Sequence, residues 1–110
     1  MARYLLQVAY TPEAWGAQLK NPQNRLEIVS LLMQRLGGRF ESAYMSFGEY
    51  DIVAVMEMPD NVSAAAVSMV VSAGGACKAV KTTPLMTIEE GMQAMRKGAD
   101  AAYSYRPPGG

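Results

Sequence analysis

Asp51 ends the run Gly48-Glu49-Tyr50-Asp51 and, with Tyr50, Tyr44, Tyr10 and Thr83, makes up the set of side chains that could hold or activate a small molecule. A carboxylate beside a phenol offers a general base and a hydrogen-bond donor, enough for an isomerase or a cofactor-independent oxygenase. The same residue also has a structural reading, because an Asp beside a turn commonly accepts hydrogen bonds from nearby backbone amides. The tyrosines divide in the same way, between holding an aromatic ligand and bridging core to solvent. Arg39 and Lys81 are the remaining polar candidates on strand-like segments, where solvated faces account for most such residues. Cys77 has only Lys78 beside it to acidify the thiol and reads as a small inert hydrophobe.

The chain contains no histidine. A histidine-based triad, a histidine-ligated haem and an ordinary zinc site are therefore ruled out, since a single thiol cannot supply the missing ligands. No cofactor is expected, and Gly37-Gly38 and Gly74-Gly75 lack phosphate-loop spacing and read as helix stops. Ten basic residues balance ten acidic ones and are scattered along the chain, a pattern that shows neither a nucleic-acid footprint nor a polybasic membrane patch. The longest uncharged run, 61–77, is interrupted by Ser and Gly and falls short of the roughly 20 apolar residues that span a bilayer. One cysteine and no recognisable signal peptide point to the reducing cytoplasm.

The elements that must position these residues follow from periodicity. Segment 3–10 alternates Tyr4, Leu6, Val8 and Tyr10 against Arg3, Leu5, Gln7 and Ala9, which predicts a strand. Thr11-Pro12-Glu13 starts a short helix, and Asn21-Pro22 interrupts it. Leu26, Val29, Leu32, Met33 and Leu36 recur at helical spacing up to Gly37-Gly38. Segments 39–46 and 50–58 form a hairpin, for which Gly48-Glu49 suits a two-residue turn. Pro59-Asp60 opens a helix with Val62, Ala65, Ala66, Met69, Val70 and Ala73 on one stripe. Segment 76–86 carries lysines and Pro84 and fits an edge strand. Thr87-Ile88-Glu89-Glu90 is a capping box before a short methionine-lined helix, and 99–110 ends in an irregular Pro- and Gly-containing tail whose Tyr103 and Tyr105 could anchor on a neighbour.

This order of elements is an α+β, ferredoxin-like βαββαβ plan with an extra C-terminal helix. Right-handed crossovers place the first and third strands in the centre of the sheet, with two helices on one face. The other face then carries Leu5, Ala9, Ala43, Met45, Val53 and Val55 or the opposite set, and either set is apolar enough to need a cover. A homodimer is the simplest cover; the alternative is a monomer with the C-terminal helix and tail folded over it. Met56, Met92 and Met95 read mainly as core filler and secondarily as the lining of an adaptable pocket.

Gly48-Glu49-Tyr50-Asp51 resembles the Gly-x-Tyr-Asp signature of the GYD domain family. The resemblance extends over roughly residues 3–98, through Thr11, Pro22, Arg25, Gly37-Gly38, Tyr44, Thr82-Thr83-Pro84-Leu85 and Glu89-Glu90, and sets 1–98 apart as the domain and 99–110 as the tail. It implies a dimeric α+β barrel, made when two sheets pack face to face, and a small protein without settled catalytic residues. Fold analogy cannot choose among the chemistries such folds host. The residues themselves favour a cytoplasmic homodimer that binds an apolar or aromatic metabolite between sheet and helices or at the dimer interface. Cofactor-independent catalysis with Asp51 as base is the alternative, and a non-catalytic assembly or regulatory module is a further one.

Overall fold

A computed structural model describes residues 1–109. Its elements run β1 (Ala2–Tyr10), α1 (Pro12–Lys20), α2 (Arg25–Arg35), β2 (Arg39–Met45), β3 (Ile52–Met58), α3 (Asn61–Ala73), β4 (Cys77–Leu85) and α4 (Ile88–Ala101), followed by a 3-10 turn at Ala102–Ser104. Each α-helix begins where the local chemistry dictates. The side chains of Thr11, Asn24, Asp60 and Thr87 accept from the backbone amides of Ala14, Leu26, Ser63 and Glu90, and Glu90 returns the bond to Thr87 in a full capping box. Gly37 and Gly75, both at positive φ, follow the ends of α2 and α3.

The four strands form one antiparallel sheet in the order β2-β3-β1-β4, so β1 and β3 are central as the crossovers predict. Tyr4, Leu6, Val8 and Tyr10 of β1 and Ile52, Ala54, Met56 and Met58 of β3 are buried against α2 and α3, with Met33 and Val67 closing the core from the helix side. The sequence grouped the β1 residues in this way but left open which of the two faces the helices cover; the fold buries the Tyr4-Leu6-Val8-Tyr10 face. The sheet is open, however, with β2 and β4 as its edges. It is not closed into a barrel, which overturns the dimeric α+β barrel expected from the resemblance; closing a sheet takes about eight strands with matched tilt and stagger, and four leave two free edges.

Three local expectations also change. The hairpin turn occupies 47–50, closed by the Ser46 amide donating to the Asp51 carbonyl at 2.8 Å, so Gly48 has the positive φ foreseen for it but within a longer loop than two residues. Tyr44 pairs with Val53 and Met45 with Ile52, so Tyr44 lies on the open face while Ala43 and Met45 lie on the helix side. An irregularity between Phe40 and Ser42 keeps Phe40 on the helix side as well. Finally, helix persists through Ala101 and the 3-10 turn to Ser104, where irregular chain was expected from residue 99; Gly110 of that tail lies outside the described residues.

The open face carries half-buried Leu5, Val53 and Val55 beside exposed Tyr44 and Leu85. Arg3 Nε to Glu41 Oε2 at 2.7 Å, and Arg3 and Arg39 to the two Glu57 oxygens at 3.3 and 2.8 Å, neutralise its charges at one end. α4 has no buried residue, and the molecule is correspondingly long, with a radius of gyration of 17.7 Å, against about 13 Å for a compact chain of this size.

Candidate functional site

A cleft of about 250 Å³ opens between α2 and α3 above the sheet. Its floor is Leu6, Val8 and Tyr10 of β1 with Ile52 of β3, one wall is Leu26, Val29 and Leu32 of α2, and the other is Val70 and Val71 of α3 with Cys77 at the start of β4. These side chains converge because the inward faces of two central strands meet two amphipathic helices that do not close over them at this end. The cleft is about as apolar as a core, yet Tyr10 and Arg25 at its mouth are polar. Both also line two more open depressions, one bounded by α1 with Gln18, Lys20 and Asn21, the other by the 22–24 link and Met45.

Tyr10 is fixed from three sides. Its amide donates to Asp51 Oδ2 at 2.8 Å, its ring meets Trp15 edge-on with centroids 5.4 Å apart, and the Trp15 indole N–H donates to the same Asp51 oxygen at 3.3 Å. The Asp51 amide in turn donates to the Val8 carbonyl at 2.7 Å. Asp51 thus ties the β2–β3 loop to the end of β1 and the first turn of α1. Burial pushes the Tyr10 phenol above its ordinary pKa, with contributions from Cys77 and Asp51 opposed by the nearby Arg25 charge. Burial likewise raises the Cys77 thiol, and Arg25 partly offsets it. At neutral pH both are protonated, and the phenol is a hydrogen-bond donor.

The candidates from sequence do not form one constellation. Tyr10 lines the cleft; Asp51 is among the lining residues of neither the cleft nor the two depressions beside it, and Tyr50 is half-buried in the loop before it. Tyr44 is exposed on the open face, and Thr83 lies on that same face, paired with Leu5. Met56 is fully buried core, whereas Met92 and Met95 are exposed on α4, so the three do not share a pocket. Sequence reading missed Arg25 and Trp15 as site residues and passed over Cys77. Arg25 did carry a signal, since it is the first residue of a capped helix and immediately precedes the apolar stripe. Among the described residues no group of three or more Cys, Asp or Glu is placed to hold a metal ion, and no helix is long and apolar enough to cross a membrane.

Open antiparallel sheet, two covering helices and an apolar cleft between them define a small α+β domain with a preformed cavity. Residues 4–95 match the GYD domain model, and the chain belongs to the GYD domain family. Comparison with curated proteins and with solved structures gives no match.

Proposed function

We propose that this GYD domain binds a small apolar or aromatic metabolite in the cleft between α2 and α3. The observation that carries the reading is the cleft itself: a cavity of about 250 Å³ lined by aliphatic side chains on rigid elements, with a few polar groups at one end, the usual anatomy of a small-molecule site. Thermal-shift titration with short-chain alcohols and single-ring aromatics tests it. A ligand at ten times its Kd adds about 1.4 kcal/mol, which raises the melting temperature of a domain this size by roughly 6 °C or more. Val71→Phe, which fills the cleft, should abolish the response while the protein stays folded. A wild type that responds to none of these ligands, or a filled variant that responds as the wild type does, overturns the reading.

Against the alternative of Asp51 as a catalytic base stands its geometry. Oδ2 already accepts from the Tyr10 amide and the Trp15 indole, and the carboxylate is not among the residues lining the cleft. The lone, half-buried Cys77 fits a reducing compartment.

A second reading, self-association, is favoured by α4. Its apolar side Ile88, Met92 and Met95 is exposed, no residue of the helix is buried, and the open sheet face is equally without a cover. A second copy is the occupant we propose: at 14 residues α4 is about 21 Å long, which matches the roughly 19 Å width of four strands, and the ion pairs among Arg3, Arg39, Glu41 and Glu57 neutralise the charges at one end of the sheet face, while Lys81, paired with Gln7 across the sheet, is exposed and can stay in water. Sedimentation at tens of micromolar should give a dimer or larger species, and Met92→Glu with Met95→Glu should give a monomer. A wild type that sediments as a monomer refutes the association.

A further inference from the structure

We propose that the molecule bound in the α2–α3 cleft is an apolar monocarboxylate, its hydrocarbon part lying along Leu6, Val8 and Val29 and its carboxylate held at the mouth by the Arg25 guanidinium and the Tyr10 hydroxyl. The inference rests on the cleft being a ligand site and adds the charge of the ligand.

Three observations support it. Arg25 is half-buried, yet the ion pairs of the described residues are all made by Arg3 and Arg39, so this cation has no carboxylate partner. A partly desolvated guanidinium without a counterion is costly, and an incoming anion would relieve that cost. The Tyr10 hydroxyl is similarly free. The Tyr4 hydroxyl, on the same face of the same strand, donates to Asn61 Oδ1 at 2.6 Å, whereas Tyr10 is engaged only through its backbone amide and ring.

The third observation is the sign of the surroundings. The chain as a whole has equal numbers of acidic and basic residues. The cleft and the two depressions that share Tyr10 and Arg25 with it are lined by no Asp or Glu, while Arg25 and Lys20 are both present. Asp51, which bonds the Tyr10 amide, lines none of the three, and its Oδ2 is occupied by that amide and the Trp15 indole. Helix dipoles do not decide the matter, because α2 begins and α3 ends at this cleft and their fields oppose. The selectivity is therefore assigned to the Arg25 side chain. One guanidinium fork with one neutral donor matches the two oxygens and single charge of a carboxylate. A phosphate monoester would bring more charge than one cation at the mouth neutralises.

The test compares octanoate with 1-octanol, which share a hydrocarbon chain and differ in the head, on the 110-residue chain at pH 8. Two native probes report occupancy: Trp15, which packs on Tyr10, and Cys77, the only cysteine, whose alkylation by N-ethylmaleimide a bound chain should slow. Octanoate is expected to bind on the order of tenfold or more tightly than octanol, the usual worth of a charge-assisted pair. Arg25→Gln should bring octanoate down to the octanol level and leave octanol unchanged, and Arg25→Lys should keep part of the preference, which separates lost recognition from lost fold. Equal binding of the two probes to the wild type, or an unchanged octanoate preference in Arg25→Gln, overturns the carboxylate assignment and leaves the cleft a neutral apolar site. Failure of both probes to quench Trp15 or protect Cys77 overturns the cleft as a ligand site altogether.

Discussion

Replacing Asp51 by alanine removes the acceptor for two donors at once. The Tyr10 amide, bonded at 2.8 Å, belongs to a residue only 8% exposed, so without the carboxylate it loses its acceptor where little water can replace it. Leaving such a buried donor unsatisfied costs about 1–3 kcal/mol. The Trp15 indole bond, at 3.3 Å and on a half-buried ring, adds less, on the order of 0.5 kcal/mol. The expected sum of about 1.5–3.5 kcal/mol lowers the melting temperature by roughly 6 °C or more. Asp51→Asn keeps an oxygen for the Tyr10 amide and loses only the charge assistance, so it should fall by about half as much. Differential scanning calorimetry ranks the two, and Trp15 emission should shift to the red in the alanine variant as the indole loses its partner and the α1 turn loosens. An Asp51→Ala protein that melts with the wild type would refute the view that this carboxylate fastens the loop to β1, and would return Asp51 to consideration as a chemical group.

Gly38→Ala places a Cβ 2.5 Å from the Glu57 carbonyl oxygen and closer still to the Met58 sulfur; the thioether can swing away but the backbone oxygen cannot, so urea unfolding should show a loss of about 1–3 kcal/mol. Stability should also fall with rising pH above the ordinary thiol range. The Cys77 and Tyr10 pKa values are raised by folding, so the unfolded chain loses those protons first, and the folded state is favoured below the unfolded pKa and disfavoured as pH climbs through the folded one. Cys77→Ala should flatten the first part of that decline in melts between pH 8 and 10. Thr87→Ala removes the capping box from a helix that has no buried residue, and far-UV circular dichroism should show lost helicity while the main melting transition stays where it was.

The sequence was most legible where period and burial coincide. Alternation along 3–10 and 52–58 sorted both central strands into two faces, but because both faces are apolar the sequence left open which one the helices cover, and only the fold shows that Leu6 and Ile52 are on the buried side. Helix stops were legible because a Gly after an apolar stripe has a local cause. The open face of β2 was not, since Ala43, Tyr44 and Met45 are all compatible with either side and only the register with β3 decides. Asp51 could be read as an acceptor, but its actual donors come from Tyr10 and Trp15 on a different part of the chain. The cleft was harder still: Arg25, Trp15 and Cys77 are distant in sequence, and nothing local says that α2 and α3 diverge over Tyr10.

That divergence has a physical origin in which residues fill each end of the sheet. Near Tyr4, the fully buried methionines Met33, Met56 and Met58 fill the space between the sheet and the helices, and the Tyr4 hydroxyl reaches Asn61 at the start of α3. Unbranched methionine adapts to irregular gaps, so this end closes. Toward Tyr10 the lining turns to valine, leucine, isoleucine and cysteine, which are shorter or stiffer and cannot reach across, and the helices supply Arg25 on one side and Gly74 on the other. The same strand face is therefore filled between α2 and α3 at Tyr4, where a separate open depression lies between α3 and β4, and is open between the two helices at Tyr10. A chain selected only for stability would gain by filling that opening with a larger side chain at Val71 or Gly74. Keeping it open, beside an unpaired arginine, makes sense when something else fills it.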